Sequence, residues 1–188
     1  MTGRRPQRTR DPEARRAALA AATMEVIAEA GVGRTTHRAV AAKAGLPLGA
    51  TTYYFPTLDD LIAAGLRHAV AMLQADLEQW GERLRTAPDM PEALTGLVQE
   101  YLGDRSQVRL EYELCMAAAR DEALRPLAEV WMRGLPEILE PYVGADAGRD
   151  ICALLDGIIL LALVTESDLD APALTSAVRR LAAPEPGK

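Results

Sequence analysis

Residues 35–55, TTHRAVAAKAGLPLGATTYYF, constrain this chain more than any other stretch of it. The segment reads as a short helix, a turn and a second short helix. Its entry is rich in hydroxyl side chains, which cap helix N-termini. Ala39, Val40 and Ala42 are small packing residues, and Gly45 permits a tight turn between two helices. The aromatic run Tyr53-Tyr54-Phe55 closes the unit. This is the pattern of a helix-turn-helix, which lays its second helix in the major groove of DNA.

The charge distribution agrees with that reading. The 188 residues carry a formal net charge of −6, unevenly placed. Residues 1–55 hold nine Lys/Arg against four Asp/Glu, and the remainder twelve against twenty-three, so a basic end of +5 precedes an acidic body of −11. A DNA reader with a separate regulatory body would show this segregation. Alanine and leucine are abundant, aromatics make up only 4% and no stretch alternates apolar with polar residues, so the expected class is all-α. Cys115 and Cys152 lie far apart without metal-ligand spacing, and no disulfide framework, metal site or cofactor is expected. Both read as buried thiols. The arginine-rich N-terminus lacks the apolar segment of a secretory signal, and the longest apolar run, Ile158–Val164, is too short to span a bilayer. No membrane partner is expected, and the location is read as cytoplasmic.

Local signals divide the chain into nine helices. Residues 1–10, with four arginines, Gly3 and Pro6, read as a flexible basic arm. Asp11 caps a first helix with Pro12 inside it; Leu19, Ala22, Val26 and Ile27 form its apolar face, and Gly31 stops it. The second helix spans about 36–44 and the third about 47–53. Thr57 and Asp60 resemble a capping box, with Asp in place of Glu, opening a fourth helix of about 25 residues, roughly 37 Å long. Pro91 opens the fifth, and the sixth runs from near Ser106 to Arg120. Pro126 opens a seventh, which Gly134 and Pro136 are expected to interrupt. Asp146 is expected to cap an eighth reaching Thr165, and Asp170 begins a ninth ending near Ala183. Residues 184–188 read as a loose tail.

Nine helices with the helix-turn-helix on the second and third, and a long fourth, resemble the TetR family of bacterial transcriptional regulators. The motif carrying the resemblance is Thr36, Val40-Ala41, Ala44-Gly45-Leu46, Gly49, Tyr53, Phe55 and Leu61. The resemblance implies a DNA-binding domain over 11–56 and a ligand-binding and dimerisation domain over 57–183. It implies a homodimer on a palindromic double-stranded operator, released when a small-molecule effector enters the C-terminal core. Two positions depart from the family: Leu58 stands where a phosphate-contacting lysine is common, and Thr52 where tyrosine is common.

Candidate DNA contacts follow from what reaches base edges and phosphates. Arg38, by analogy with family members carrying arginine there, is the first choice for a fork to guanine; a phosphate contact is the other reading. Leu48, Ala50, Thr51 and Thr52 form a small reading surface whose methyls suit thymine. Gly49 either allows close backbone approach or is simply a helix-start residue. Thr36 and Tyr53 are candidates for phosphate. His37 reads as a phosphate contact or a solvated helix-start residue, Tyr54 as an exposed ring or part of a clasp, and Phe55 as core. Lys43 reads as exposed. Arg4, Arg5, Arg8 and Arg10 either add salt-dependent affinity or form a solubilising tail.

The body offers two further candidate sites. Leu155, Ile158, Ile159 and Ala162, with Ile151, Leu154 and Leu163, form a wide apolar band, and Leu174, Val178 and Leu181, with Ala177, a second stripe. Paired across a two-fold axis, these would make a four-helix dimer interface. Asp156 interrupts the band; it reads as a partner contact, a ligand-facing carboxylate or, ranked first, a residue on a wetter side of its helix. Met72, Trp80, Tyr101, Tyr112, Cys115, Met116, Trp131 and Met132 are candidate pocket residues or ordinary core. Glu111 and Glu113 either select a cationic ligand or are exposed glutamates.

Three functions compete at this level. The first is a ligand-released repressor. The second is a DNA-binding activator or partner-controlled regulator of the same fold. The third, a helical enzyme, finds little support: His37 and His68 are the only histidines, with no nucleophile–histidine arrangement and no glycine-rich phosphate loop.

Overall fold

The structure, a computed structural model, describes residues 11–183; the expected basic arm and loose tail lie outside the described residues. The described residues form nine α-helices and no strand. These are α1 (Pro12–Ala30), α2 (His37–Lys43), α3 (Leu48–Tyr54), α4 (Leu58–Thr86), α5 (Met90–Tyr101), α6 (Arg105–Ala118), α7 (Arg125–Val143), α8 (Ala145–Thr165) and α9 (Ala171–Ala182). The chain divides into two compact units at Ala69, within α4. No helix among the described residues is long and apolar enough to cross a membrane.

Helix starts follow the local chemistry of the sequence. Asp11 accepts from the Glu13 N–H at 2.9 Å, and Thr36 from the Ala39 N–H at 3.1 Å. Thr57 and Asp60 satisfy each other reciprocally: the Asp60 N–H donates to Thr57 Oγ1 at 3.1 Å, and the Thr57 N–H to Asp60 Oδ2 at 3.3 Å. Asp89, Asp104 and Asp170 cap α5, α6 and α9 in the same manner. The eighth helix differs from expectation. Its cap is Gly144, with no side-chain hydrogen bond, while Asp146 lies one residue inside and pairs with Arg149.

The first unit closes around Leu19, Ala22, Val26, Val40, Phe55 and Leu61. The turn between α2 and α3 holds its shape through two backbone bonds, Leu46 N–H to Ala41 O at 2.9 Å and Gly45 N–H to Ala42 O at 3.2 Å. This is a Schellman closure, which needs a left-handed residue, and Gly45 sits at φ +63°. Nothing lies near a would-be Cβ there, so substitution carries backbone strain alone. Gly45→Ala is expected to cost about 1–2 kcal/mol and Gly45→Asn less, read as the shift in thermal midpoint.

The second unit packs Leu84, Leu94, Leu97, Val98, Leu139, Ile151, Leu155, Leu174 and Val178 into one core. Contrary to expectation, α7 is not interrupted: it runs unbroken through Gly134, Pro136 and Pro141. Proline inside a helix removes a hydrogen bond and costs about 3 kcal/mol. Buried Leu127 and Leu139, with Leu135 and Ile138 packed on the core, offset that, each apolar side chain contributing about 1.5–3 kcal/mol on full burial. Gly134 answers a packing need: a Cβ there would collide with Leu77 of α4. Arg105 ties down the end of α8, donating to Ala162 O at 3.1 Å and Ser167 O at 2.7 Å.

Candidate DNA-recognition face and ligand cavity

On α3 the exposed positions are Leu48, Gly49, Thr52 and Tyr53, one stripe of the helix, with Tyr53 79% exposed. Ala50 and Tyr54 are half-buried, and Tyr54 stacks edge-on against Tyr53 at 5.0 Å. Thr51, expected on the reading surface, lies in the core instead. It is fully buried, and its hydroxyl donates to Leu48 O at 2.7 Å. At about 100° per residue, Leu48, Gly49, Thr52 and Tyr53 share one arc of the helix, and Thr51 falls with Ala50, Tyr54 and Phe55 on the other, packed arc.

On α2, Thr36 and Arg38 are exposed, and Arg38 forms no ion pair among the described residues. His37 is half-buried, with its Nδ1 buried and unpartnered. Lys43 is engaged within its own unit by Glu29 at 2.5 Å and Glu25 at 3.3 Å, and the hydrogen bond to Glu29 is the main reason its pKa is raised. Leu58, where the family often has lysine, packs on the first core. Arg16 lies over the Phe55 ring at 5.1 Å.

The second unit holds a cavity of about 680 Å³. Trp80, Tyr101, Tyr112, Trp131 and Met132 line it, as do Asp76, Glu100, Asp104, Glu111, Asp156, Arg83, Arg149 and Cys152. Three expected pocket residues are not part of the lining: Met72 and Met116 are exposed, and Cys115 is half-buried outside it. Asp156, ranked first as a residue on a wetter side, instead faces the cavity half-buried and accepts from the Tyr112 hydroxyl at 3.0 Å. Glu111 is likewise half-buried and takes the Tyr101 hydroxyl at 2.6 Å, whereas Glu113 is exposed. Sequence reasoning does not reach Asp76 as a cavity acid; its four-residue spacing from Trp80 on one helix is the available signal.

Loss of water raises the carboxyl pKa of Asp76, Glu111 and Asp156; hydrogen bonds from Tyr101 to Glu111 and from Tyr112 to Asp156 act in the opposite direction. Burial is also the first cause that raises both tyrosines, and it pushes the Cys152 thiol up to about 12. Acids whose folded pKa is raised contribute stability below their unfolded pKa and lose it as pH rises through the folded value. Asp60, Asp89 and Glu100 are lowered by hydrogen bonding, so their contribution exists above the unfolded value and is lost in acid. The thermal midpoint is therefore expected to rise as acidification from neutral pH protonates Asp76, Glu111 and Asp156, and to fall again in stronger acid as Asp60, Asp89 and Glu100 take up protons.

The expected dimer residues are divided by the structure. Leu155, Ile159, Ala162, Leu174 and Val178 are buried in the chain's own core, with Ile158 and Leu181 packed partly buried against it. The apolar residues that α8 leaves uncovered are Leu160, Leu161 and Val164, at 50%, 60% and 74% exposure. Ala153 and Gly157, also exposed, continue their stripe.

Comparison with known proteins agrees with both halves of this architecture. Residues 19–64 match the family of bacterial regulatory proteins called tetR, and residues 85–184 match the tetracyclin repressor-like C-terminal domain. A BetI transcriptional regulator of Burkholderia thailandensis is 29% identical over 177 residues, covering 86% of this chain and 88% of its own. A TetR-family structure from Streptomyces coelicolor superposes with a TM-score of 0.73 at 38% identity, over 89% of this chain and 97% of that one. The multidrug binding protein EbrR, solved with imidazole, gives 0.71 at 38% identity, over 92% and 97%. It has also been solved with ethidium, proflavin and malachite green. Family models over both units and a helix-turn-helix with an exposed reading stripe lead to one conclusion: the chain is a DNA-binding transcriptional regulator of the TetR family.

Proposed function

We propose that the protein is a homodimeric repressor that holds a palindromic operator and lets it go when a small molecule enters the cavity of the second unit. The observation carrying this reading is the cavity itself. A space of about 680 Å³ walled by two tryptophans and two tyrosines is what a ligand site offers and what a purely structural core avoids. EbrR, similar over nine-tenths of the chain, supports it through the dyes with which it was solved.

Residues 11–56 would read DNA through Thr36, His37, Arg38, Leu48, Gly49, Ala50, Thr52, Tyr53 and Tyr54. Arg38 would fork onto a base edge, and the Tyr53 hydroxyl would meet a phosphate. Residues 57–183 would hold the ligand and the dimer. The partner would cover Leu160, Leu161 and Val164, an uncovered apolar stripe of a kind that marks interfaces. A regulator reading chromosomal DNA would act in the bacterial cytoplasm. The testing experiment is fluorescence anisotropy of the DNA upstream of the protein's own gene beside an unrelated duplex, at two salt concentrations. Tighter, salt-sensitive binding to the upstream duplex supports operator recognition; equal binding to both contradicts it.

A further inference from the structure

We infer that the cavity takes an organic cation, seated against aromatic rings and a tyrosine-held carboxylate at either of two places. The inference rests on the reading of the cavity as the effector site. Trp80 and Tyr101 stand edge to face with centroids 6.0 Å apart, and the Tyr101 hydroxyl donates to Glu111 at 2.6 Å. Tyr112 and Trp131 repeat the arrangement at 5.5 Å, with the Tyr112 hydroxyl donating to Asp156 at 3.0 Å. All six side chains line the same cavity. The tyrosine bond fixes Asp156, and Glu111 accepts a second bond from Gln107 Nε2 at 2.9 Å, yet each carboxylate keeps unused acceptor capacity, since a carboxylate has about four lone-pair sites.

The charge balance selects the ligand's sign. The cavity's cationic side chains are Arg83 and Arg149, and both are engaged by other acids. Arg83 forks onto Glu100 at 2.5 and 2.7 Å, and Arg149 pairs with Asp146. No ion pair among the described residues reaches Glu111, Asp156 or Asp76, three of the five acids of the lining. Loss of water disfavours the ionised form of all three. A ligand cation supplies the missing counter-ion, and the ring faces add a cation–π attraction. A neutral molecule of the same shape gains neither, and an anion is repelled.

Trp80 and Trp131 are the chain's two tryptophans, and both line the cavity, so intrinsic fluorescence reports on this site. The full-length protein without DNA is titrated near neutral pH with N-methylacridinium, a permanent cation, and with N-methylacridone, a neutral molecule on the same ring skeleton. The cation is expected to quench saturably, with a dissociation constant at least about tenfold below that of the neutral compound. Asp156→Asn and Glu111→Gln should each weaken the cation several-fold, and together remove most of its advantage, the ring faces and Asp76 keeping the rest, while leaving N-methylacridone unchanged. Both substitutions keep an acceptor for the tyrosine and remove a charge disfavoured by burial, so the thermal midpoint should not fall. Equal affinity for the two compounds, no binding of the cation, or a double variant that keeps the preference undiminished overturns the inference. A cation that fills the cavity yet leaves operator DNA bound contradicts the release reading and not the cation preference.

Discussion

In the proposed dimer, Leu161→Glu is expected to break the pairing and leave a monomer, lowering operator affinity by more than about a hundredfold. Leu161 is 60% exposed on α8, in a stripe with Leu160 and Val164 that the chain's own helices leave uncovered. Facing the same stripe of a second copy, it would be buried at the centre of an isologous interface. A glutamate there would set two like charges against each other in an apolar surrounding. Because the position is exposed in the single chain, folding should survive, with the helical signal intact. Sedimentation velocity reads the mass and anisotropy the DNA affinity. A palindrome is read by two modules held together, so loss of the dimer removes the second contact as well as the interface. A variant that remains dimeric would remove α8 from the interface. Leu155→Ala is the instructive contrast: Leu155 lies in the chain's own core, so its truncation is expected to cost about 2–5 kcal/mol of fold stability.

Arg38→Ala should weaken specific binding by about tenfold to a hundredfold, the discrimination supplied by one bidentate arginine–guanine contact. Arg38 is exposed at the start of α2 and has no ion pair among the described residues to occupy its guanidinium. Binding to unrelated DNA should change far less, because that is carried by the sum of phosphate contacts. A uniform loss on both duplexes, with a shallower salt dependence, would instead assign Arg38 to phosphate. Lys43→Ala should have a small effect on either duplex, since Glu25 and Glu29 already balance its charge.

The first unit was legible in the sequence because its signals are local. Asp11, Thr36, the Thr57–Asp60 pair and Gly45 act through atoms within a few residues of themselves, so spacing alone reveals them. Signals overridden by tertiary packing misled. Gly134 and Pro136 read as interruptions, yet α7 continues because its Leu127 and Leu139 are buried in the second unit. Helix α8 was ambiguous for another reason. From Ile151 to Val164 apolar residues fall on nearly every side, so periodicity cannot separate Leu155 and Ile159, which face the chain's own core, from Leu161 and Val164, which do not. Thr51 shows the same limit on a seven-residue helix, too short for its pattern to fix which way each side chain faces. The cavity was half legible. Its aromatic residues stand out by type, and Glu111 and Asp156 carry a ligand-facing reading among others, but Asp76 gives no such signal, because it becomes a cavity residue only once α4, α6 and α8 are brought together.

Release of the operator and filling of the cavity can be followed together in one cuvette. A labelled upstream duplex is bound to the protein, and anisotropy is followed while a compound that quenches Trp80 and Trp131 is added. Anisotropy is expected to fall to the value of free DNA over the same concentration range in which the tryptophans are quenched. A duplex that stays bound after the quenching has saturated would contradict release by the ligand.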